Sequence, residues 1–336
     1  MGQGDALRSD CQEQSAGEFC WEPDILECDY LLSTRIFELL ATEGESTISL
    51  WLPKLDHEQR LDSFVKILNE NSERLGGLEV KKSSWPQVPA TRVELTRTDE
   101  TSLLSSKTQS KHENEASIRS SMQNTEQWVE DVLCGLSLCP YTKSMERAAV
   151  GLESVGIEEG PIEIRHSLDI DNDLKGISPP PAVVLATAFW QGVKELAQKS
   201  EKDVATLLII APPYFDDEFF EFSATFNKFL EPTIQATGAE SIVGRAIFHP
   251  TYNSELIGHD TVLPGHALPV NMVGGFMDQY LVEENSYATK EKPDLSSIAK
   301  ANDAVRWTPH ATINLLRRSQ VSKFIIPERS FCHRTF

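Results

Sequence analysis

A chain of 336 residues with 40% apolar and 24% charged side chains has the make-up of a folded protein, with room for one large domain or two ordinary ones. Its 31 Lys and Arg stand against 51 Asp and Glu, a formal charge of −20, and basic residues cluster no further than pairs such as Lys81–Lys82 and Arg317–Arg318. Such a surface repels phosphate backbones and anionic lipid heads, and the longest apolar runs, such as Ala205–Tyr214, reach about half of the ~20 residues of a bilayer span, so neither nucleic acid nor a membrane is an expected partner.

The first residues, Met-Gly-Gln-Gly-Asp-Ala, lack the apolar core of a secretory signal and carry an acid that transit peptides avoid. The six cysteines (Cys11, Cys20, Cys28, Cys134, Cys139 and Cys332) form no CxxC pair, which fits a reducing, cytoplasmic setting.

Residues 1–27 are rich in Gly, Ser and acids and are expected to be disordered. Between 28 and 97 a small α+β module is expected. Ile48–Pro53 alternates as a strand does, and His57–Leu75 places Leu61, Phe64, Val65 and Leu68 at helical spacing. Leu78–Val80 and Val93–Leu95 read as two more short strands. Residues 98–124 carry too little apolar surface to offset ordering and read as a linker.

Stronger signals fill 125–328, expected to be an α/β domain. A helix starts at an Asn124 or Thr125 cap, carries Val129, Val132, Leu133 and Leu136, and stops at Pro140. Ile162–Ser167 alternates as a strand, Pro181–Ser200 is helical, and Thr206–Ala211 is a continuous apolar run suited to a buried central strand. Asp216–Thr237 is a second long helix rich in Phe, and Ser241–His249 a third strand. The order gives a βαβαβ core sheet covered by helices. A long segment without clear period follows, with 258–300 as an apparent insertion. Thr308-Pro309, as cap and first helical position, then predicts a last helix to about Ser319, and Phe324–Ile326 a final strand.

Three pieces carry a resemblance: Gly135-Leu-Ser-Leu-Cys-Pro-Tyr141, Phe248-His-Pro-Thr-Tyr252 and Thr308-Pro-His-Ala-Thr-Ile-Asn-Leu-Leu-Arg317. In this order, across 125–325, they resemble the family known as domain of unknown function 1415. This chain departs from that pattern in its 258–300 insertion and in having His310 and Asn314 where Tyr and His are expected. The family name implies no activity, so function is read from the residues.

His249 follows a buried strand and precedes Pro250, at the strand end where α/β folds place ligands; Tyr252 shares that rim. Cys139 sits at a helix end, with Lys143 and Arg147 close in sequence. On the expected last helix, His310, Asn314 and Arg317 fall at i, i+4 and i+7 on one face, with Thr308 as its cap and Arg306 as a further cation. The leading reading is a small-molecule site at the sheet end. There His249 is the general acid or base, Cys139 a nucleophile or wall, His310 a further catalytic group, and Arg317 the clamp of an anionic ligand. A second reading binds a divalent metal through His249, His259 and His266, three imidazoles within eighteen residues. A third is a non-catalytic module with a protein partner. The sequence carries no GxGxxG, GxxxxGK[ST] or GxSxG motif, which argues against nucleotide-binding and hydrolase folds of those types.

Overall fold

The computed structural model describes residues 19–21, 33–37, 40, 47–53, 58–84, 90–97, 115–136, 139, 141–168, 179–253, 256, 300 and 303–320. The protein is α/β, and the chain divides into two compact units that interleave in sequence. One draws on Met1–Asn114, His166–Gln198 and Ala224–Val243; the other on Glu115–Arg165, Lys199–Ser223 and Gly244–Phe336. The insertion expected at 258–300, apart from Lys300, and the strand expected at 324–326 lie outside the described residues; of the stretch 1–27 expected to be disordered, only Phe19–Trp21 is described, and it is a strand.

The first unit is built on a four-stranded sheet ordered β1-β2-β4-β3, with β1 at Phe19–Trp21, β2 at Thr47–Pro53, β3 at Leu78–Ser84 and β4 at Ala90–Arg97. β1 pairs parallel with β2, whereas β4 runs antiparallel to both β2 and β3. Helix α1 (Glu58–Glu70) buries Leu61, Phe64 and Leu68 at the spacing read from sequence. Asn69 ties it to β3, accepting the Val80 N–H and donating to the Val80 carbonyl, both at 2.8 Å.

The same unit holds a helix buried on nearly every side from Ala182 to Trp190, within Pro181–Gln198, so it is less one-sided than its sequence suggests. The Phe-rich helix expected at Asp216–Thr237 is broken into pieces. A single turn (Pro212–Phe215) precedes Phe219–Thr225, a π turn (Phe226–Leu230) and Glu231–Thr237. Pro232 is the physical reason for the π turn: it brings no amide hydrogen and crowds the carbonyl four residues earlier, that of Lys228. Asn71 Nδ2 takes up that carbonyl at 3.1 Å.

The second unit holds the other main sheet, save the end residues His166 and Val243. Its strands are β7 (Ile162–His166), β8 (Thr206–Ile210), β9 (Val243–Phe248) and β10 (Thr312–Arg317), in the order β7-β8-β10-β9. A small hairpin, β5 (Thr142–Ser144) with β6 (Arg147–Ala148), lies nearby in sequence. Two expectations change here. Helix α2 starts at Glu115 and runs to Trp128, continuing as a π turn to Cys134, so 115–124 is helix rather than linker. Thr125 is not a cap; it is fully buried inside the helix and donates its hydroxyl to the Ser121 carbonyl at 3.0 Å.

The second correction concerns the chain end. Thr308–Arg317 is not a helix: from Thr312 to Arg317 it is the strand β10, inserted between β8 and β9 and antiparallel to β8, with Thr312 opposite Ile210 and Asn314 opposite Leu208. Every residue of β10 but Leu316 is buried, so the slot in the sheet decides the conformation where local propensity is weak. On a strand, neighbours alternate faces, so Asn314 and Arg317 point to opposite sides and the polar helix face dissolves. The core on the Leu208–Ile210 side gathers Trp128, Val129, Ile162, Ile164, Ala246 and Phe248, with the Trp128 and Phe248 rings edge to face at 5.8 Å.

Candidate functional site

The antiparallel pairing of β10 with β8, and the backbone bond from His249 to Arg306, bring three strand ends to one edge of the second unit: the end of β8, the end of β9 and the start of β10. Each continues into a short connection carrying polar side chains. After β8 come Ala211–Asp217, after β9 His249–Asn253, and before β10 Asp303–Ala311. Backbone bonds close the edge: Ala211 N–H donates to the Ala311 carbonyl at 2.9 Å and His249 N–H to the Arg306 carbonyl at 3.0 Å.

His249 stands where the strand-end argument placed it, fully buried. Its Nδ1 receives the Thr251 N–H at 3.1 Å, and since an amide only donates, Nδ1 carries no proton. Nε2–H therefore donates to the Phe215 carbonyl at 2.7 Å, which fixes the neutral tautomer. Rings of Phe219 and Phe222 flank the imidazole at 5.0 and 5.6 Å. Burial pushes its pKa below the usual imidazole value, against the opposing pull of the Phe215 carbonyl and the Asp216 and Asp217 carboxylates. Both ring nitrogens are occupied, so His249 braces the 211–219 connection against β9.

His310 has the complementary arrangement. Its Nδ1 lies 2.7 Å from Asp216 Oδ2, while Asp216 Oδ1 accepts the Ala311 N–H, also at 2.7 Å. The carboxylate thus accepts a hydrogen bond at each oxygen, one of them from Nδ1–H, which leaves Nε2 to act. Nε2 is buried and has no hydrogen-bond partner among the described residues. The His310 backbone is fixed as well, its carbonyl accepting the hydroxyls of Thr308 at 2.5 Å and Thr312 at 2.7 Å. Thr308 is thereby a brace for the histidine rather than a helix cap.

Tyr252 is buried beside these groups, its ring 5.5 Å from Phe219. Its hydroxyl accepts Arg306 Nη1–H at 2.6 Å, and the Arg306 guanidinium lies 5.0 Å from its ring centre. Burial raises the Tyr252 phenol, while the cation opposes that shift. Trp307 donates its indole N–H to the Tyr252 carbonyl at 3.0 Å and leaves about half its surface in solvent, at 51% exposure. Comparison with family models, curated proteins and solved structures finds no match for this chain.

Other sequence-predicted residues lie elsewhere. Arg317, at the far end of β10, donates from Nε and Nη2 to the Val204 carbonyl at 2.9 and 2.7 Å, and from Nη2 to the Ser200 carbonyl at 2.8 Å. These bonds clamp the turn before β8, and burial lowers its pKa. Asn314 sits inside the sheet opposite Leu208, its Oδ1 buried with no partner among the described residues. Cys139, a half-buried free thiol, accepts the Thr142 hydroxyl at 3.3 Å in the connection between α2 and β5. Asn314 and Cys139 share no hydrogen bond with the sheet-end group among the described residues, and the Arg317 bonds to Val204 and Ser200 hold it at the opposite end of β10.

His259 and His266, proposed as metal ligands with His249, lie outside the described residues. Among the described residues no group of three or more His, Cys, Asp or Glu side chains is arranged to hold a metal, and the His249 nitrogens are both engaged. No described helix is long and apolar enough to cross a membrane. The residue that sequence reasoning missed is Asp216. Its signal was present: a carboxylate five residues beyond the apolar run Thr206–Ala211, across the Pro212-Pro213 stop.

Proposed function

We propose that this sheet end is a general acid–base site for a small-molecule substrate, with His310 as the proton-transfer group and Asp216 as its positioning residue. The observation that carries the reading is the 2.7 Å contact from Asp216 to His310 Nδ1 on a carboxylate already anchored by the Ala311 N–H. A carboxylate in that position fixes ring orientation and tautomer and stabilises the imidazolium formed when Nε2 takes a proton. Nε2, buried and without a partner among the described residues, is the atom offered to a substrate or water. His249, Thr308 and Thr312 act behind it, holding the connections that bring Asp216 and His310 together.

The reading names a reaction class, proton abstraction or water activation, and a substrate small enough to reach a buried nitrogen. The test is an untargeted turnover screen in which a mixture of cellular metabolites is incubated with the full chain and with its His310→Ala variant. A metabolite consumed by the parent chain and spared by the variant supports the reading. Consumption of nothing, or equal consumption by both proteins, removes it.

A further inference from the structure

Arg306 is 5% exposed, a cation withdrawn from water in a chain of net charge −20. Such a group is ordinarily neutralised by a carboxylate, because desolvating an isolated charge is costly. Among the described residues Arg306 makes no ion pair. Its guanidinium donates one hydrogen bond, from Nη1 to the Tyr252 hydroxyl, and lies 5.0 Å from the centre of the same ring. A phenol carries no charge to offset it. A guanidinium has five N–H groups in a planar fork, so most of its donors are not used by side chains of the described residues.

The chain around Arg306 is held in place. Its own carbonyl accepts the His249 N–H, its amide donates to the Asp303 carbonyl, and the Trp307 indole is tied to the Tyr252 carbonyl. Tyr252 gives the cation an aromatic backing, which orients a fork without neutralising it. His310 follows four residues later on the same connection. The Asp303 carboxylate acts on Tyr252 as well, but it forms no ion pair with Arg306. An anchored, buried fork with no ion pair among the described residues, four positions before the proposed proton-transfer imidazole in the chain, has the features of a subsite for an anionic group.

We propose that Arg306 binds an oxyanion, a carboxylate or phosphate group of the ligand, and that this group docks the substrate on which His310 acts. The second clause rests on the general acid–base reading; the first stands without it. Two-point contact from the fork to two oxygens of one group is the geometry that Arg offers and Lys does not.

The test titrates the full chain separately with inorganic phosphate and with succinate, followed by calorimetry and by tryptophan fluorescence, with a Trp307→Phe control to assign the optical signal. Saturable binding of either anion is expected, and the anion that binds identifies the source chemistry. Arg306→Gln is expected to weaken it at least about tenfold, with Arg306→Lys also weaker than the parent chain. His310→Ala is expected to leave anion affinity within about twofold, so loss of turnover with retained binding separates the two readings. Should the Arg306 variants fail to fold, phenylglyoxal labelling of the parent chain gives the answer: the anion is expected to protect Arg306 from modification. No saturable response to either anion, unaltered affinity in a folded Arg306→Gln variant, or labelling of Arg306 indifferent to anion overturns the proposal.

Discussion

His310 Nδ1 and Asp216 Oδ2 meet at 2.7 Å although 94 positions separate them in the chain. The contact exists because β10 runs antiparallel to β8, which sets the residue before β10 beside the connection that leaves β8. The second Asp216 oxygen, bonded to the Ala311 N–H, makes the carboxylate a joint between the two connections as well as a partner of the imidazole.

Replacing Asp216 by Asn therefore has two expected consequences. The amide keeps one acceptor but offers a donor in place of the other oxygen, so either the Ala311 N–H or His310 Nδ1–H loses its partner. Stability is expected to fall by about 1–2 kcal/mol, read by chemical denaturation. Any turnover that depends on His310 is expected to fall by about 100-fold or more. A variant as active as the parent chain would remove Asp216 from the mechanism.

His249 gives a prediction in pH. Its folded pKa is depressed by burial, so on acidification the unfolded chain binds the proton first. The stabilisation by neutral His249 is complete above the ordinary imidazole value of about 6.5 and drains away as pH falls from there toward the lowered folded value. The expected slope is up to about 1.4 kcal/mol per pH unit from this group alone. Denaturation curves of the parent chain and His249→Asn across that window should converge as pH falls. Parallel curves would show that His249 does not titrate differently on folding.

Arg317 is expected to behave as a structural residue. Removing its bonds to the Ser200 and Val204 carbonyls with Arg317→Met should cost about 2–3 kcal/mol, since buried carbonyls lose their donors. Neither turnover nor anion binding should change beyond the loss of folded protein. A variant of undiminished stability that has lost ligand affinity would return Arg317 to the role of an anion clamp.

Asn314 carries a buried oxygen without a partner among the described residues, opposite Leu208 on the neighbouring strand. Replacing it by Leu removes that polar atom and keeps the number of side-chain heavy atoms, and the midpoint of thermal unfolding is expected to rise, by about 1 kcal/mol in free energy. A fall in stability would mean that the amide has a role in the sheet that its hydrogen bonds do not show.

Much of the scaffold was legible in the residues. Thr206–Ala211 announces a buried strand, Phe248-His249-Pro250 announces where another stops, and Leu61, Phe64 and Leu68 draw α1, because each signal is local and each element buries what its own spacing predicts. The same reasoning failed at Thr308–Ser319. There Thr308-Pro309 imitates a helix start, while Leu315, Leu316 and the arginines suit a helix as well as a strand, so the vacant slot between β8 and β9 decided. That change moved every site residue the segment carries. His310 went from a helix face to Asp216, and Arg317 went from an anion clamp to the carbonyls of Ser200 and Val204.

The sequence by itself determined the α/β class, the placing of His249 and Tyr252 at a strand end and the acidic surface on which a buried cation stands out, since composition and short-range periodicity fix these. Only the tertiary structure decided that His249 is hydrogen-bonded at both ring nitrogens while His310 Nε2 has no partner among the described residues, and that the side-chain hydrogen bond of Arg306 goes to a phenol. Those are properties of pairs brought together by antiparallel strand pairing and loop closure, and no spacing along a single chain encodes which carboxylate a distant imidazole will meet.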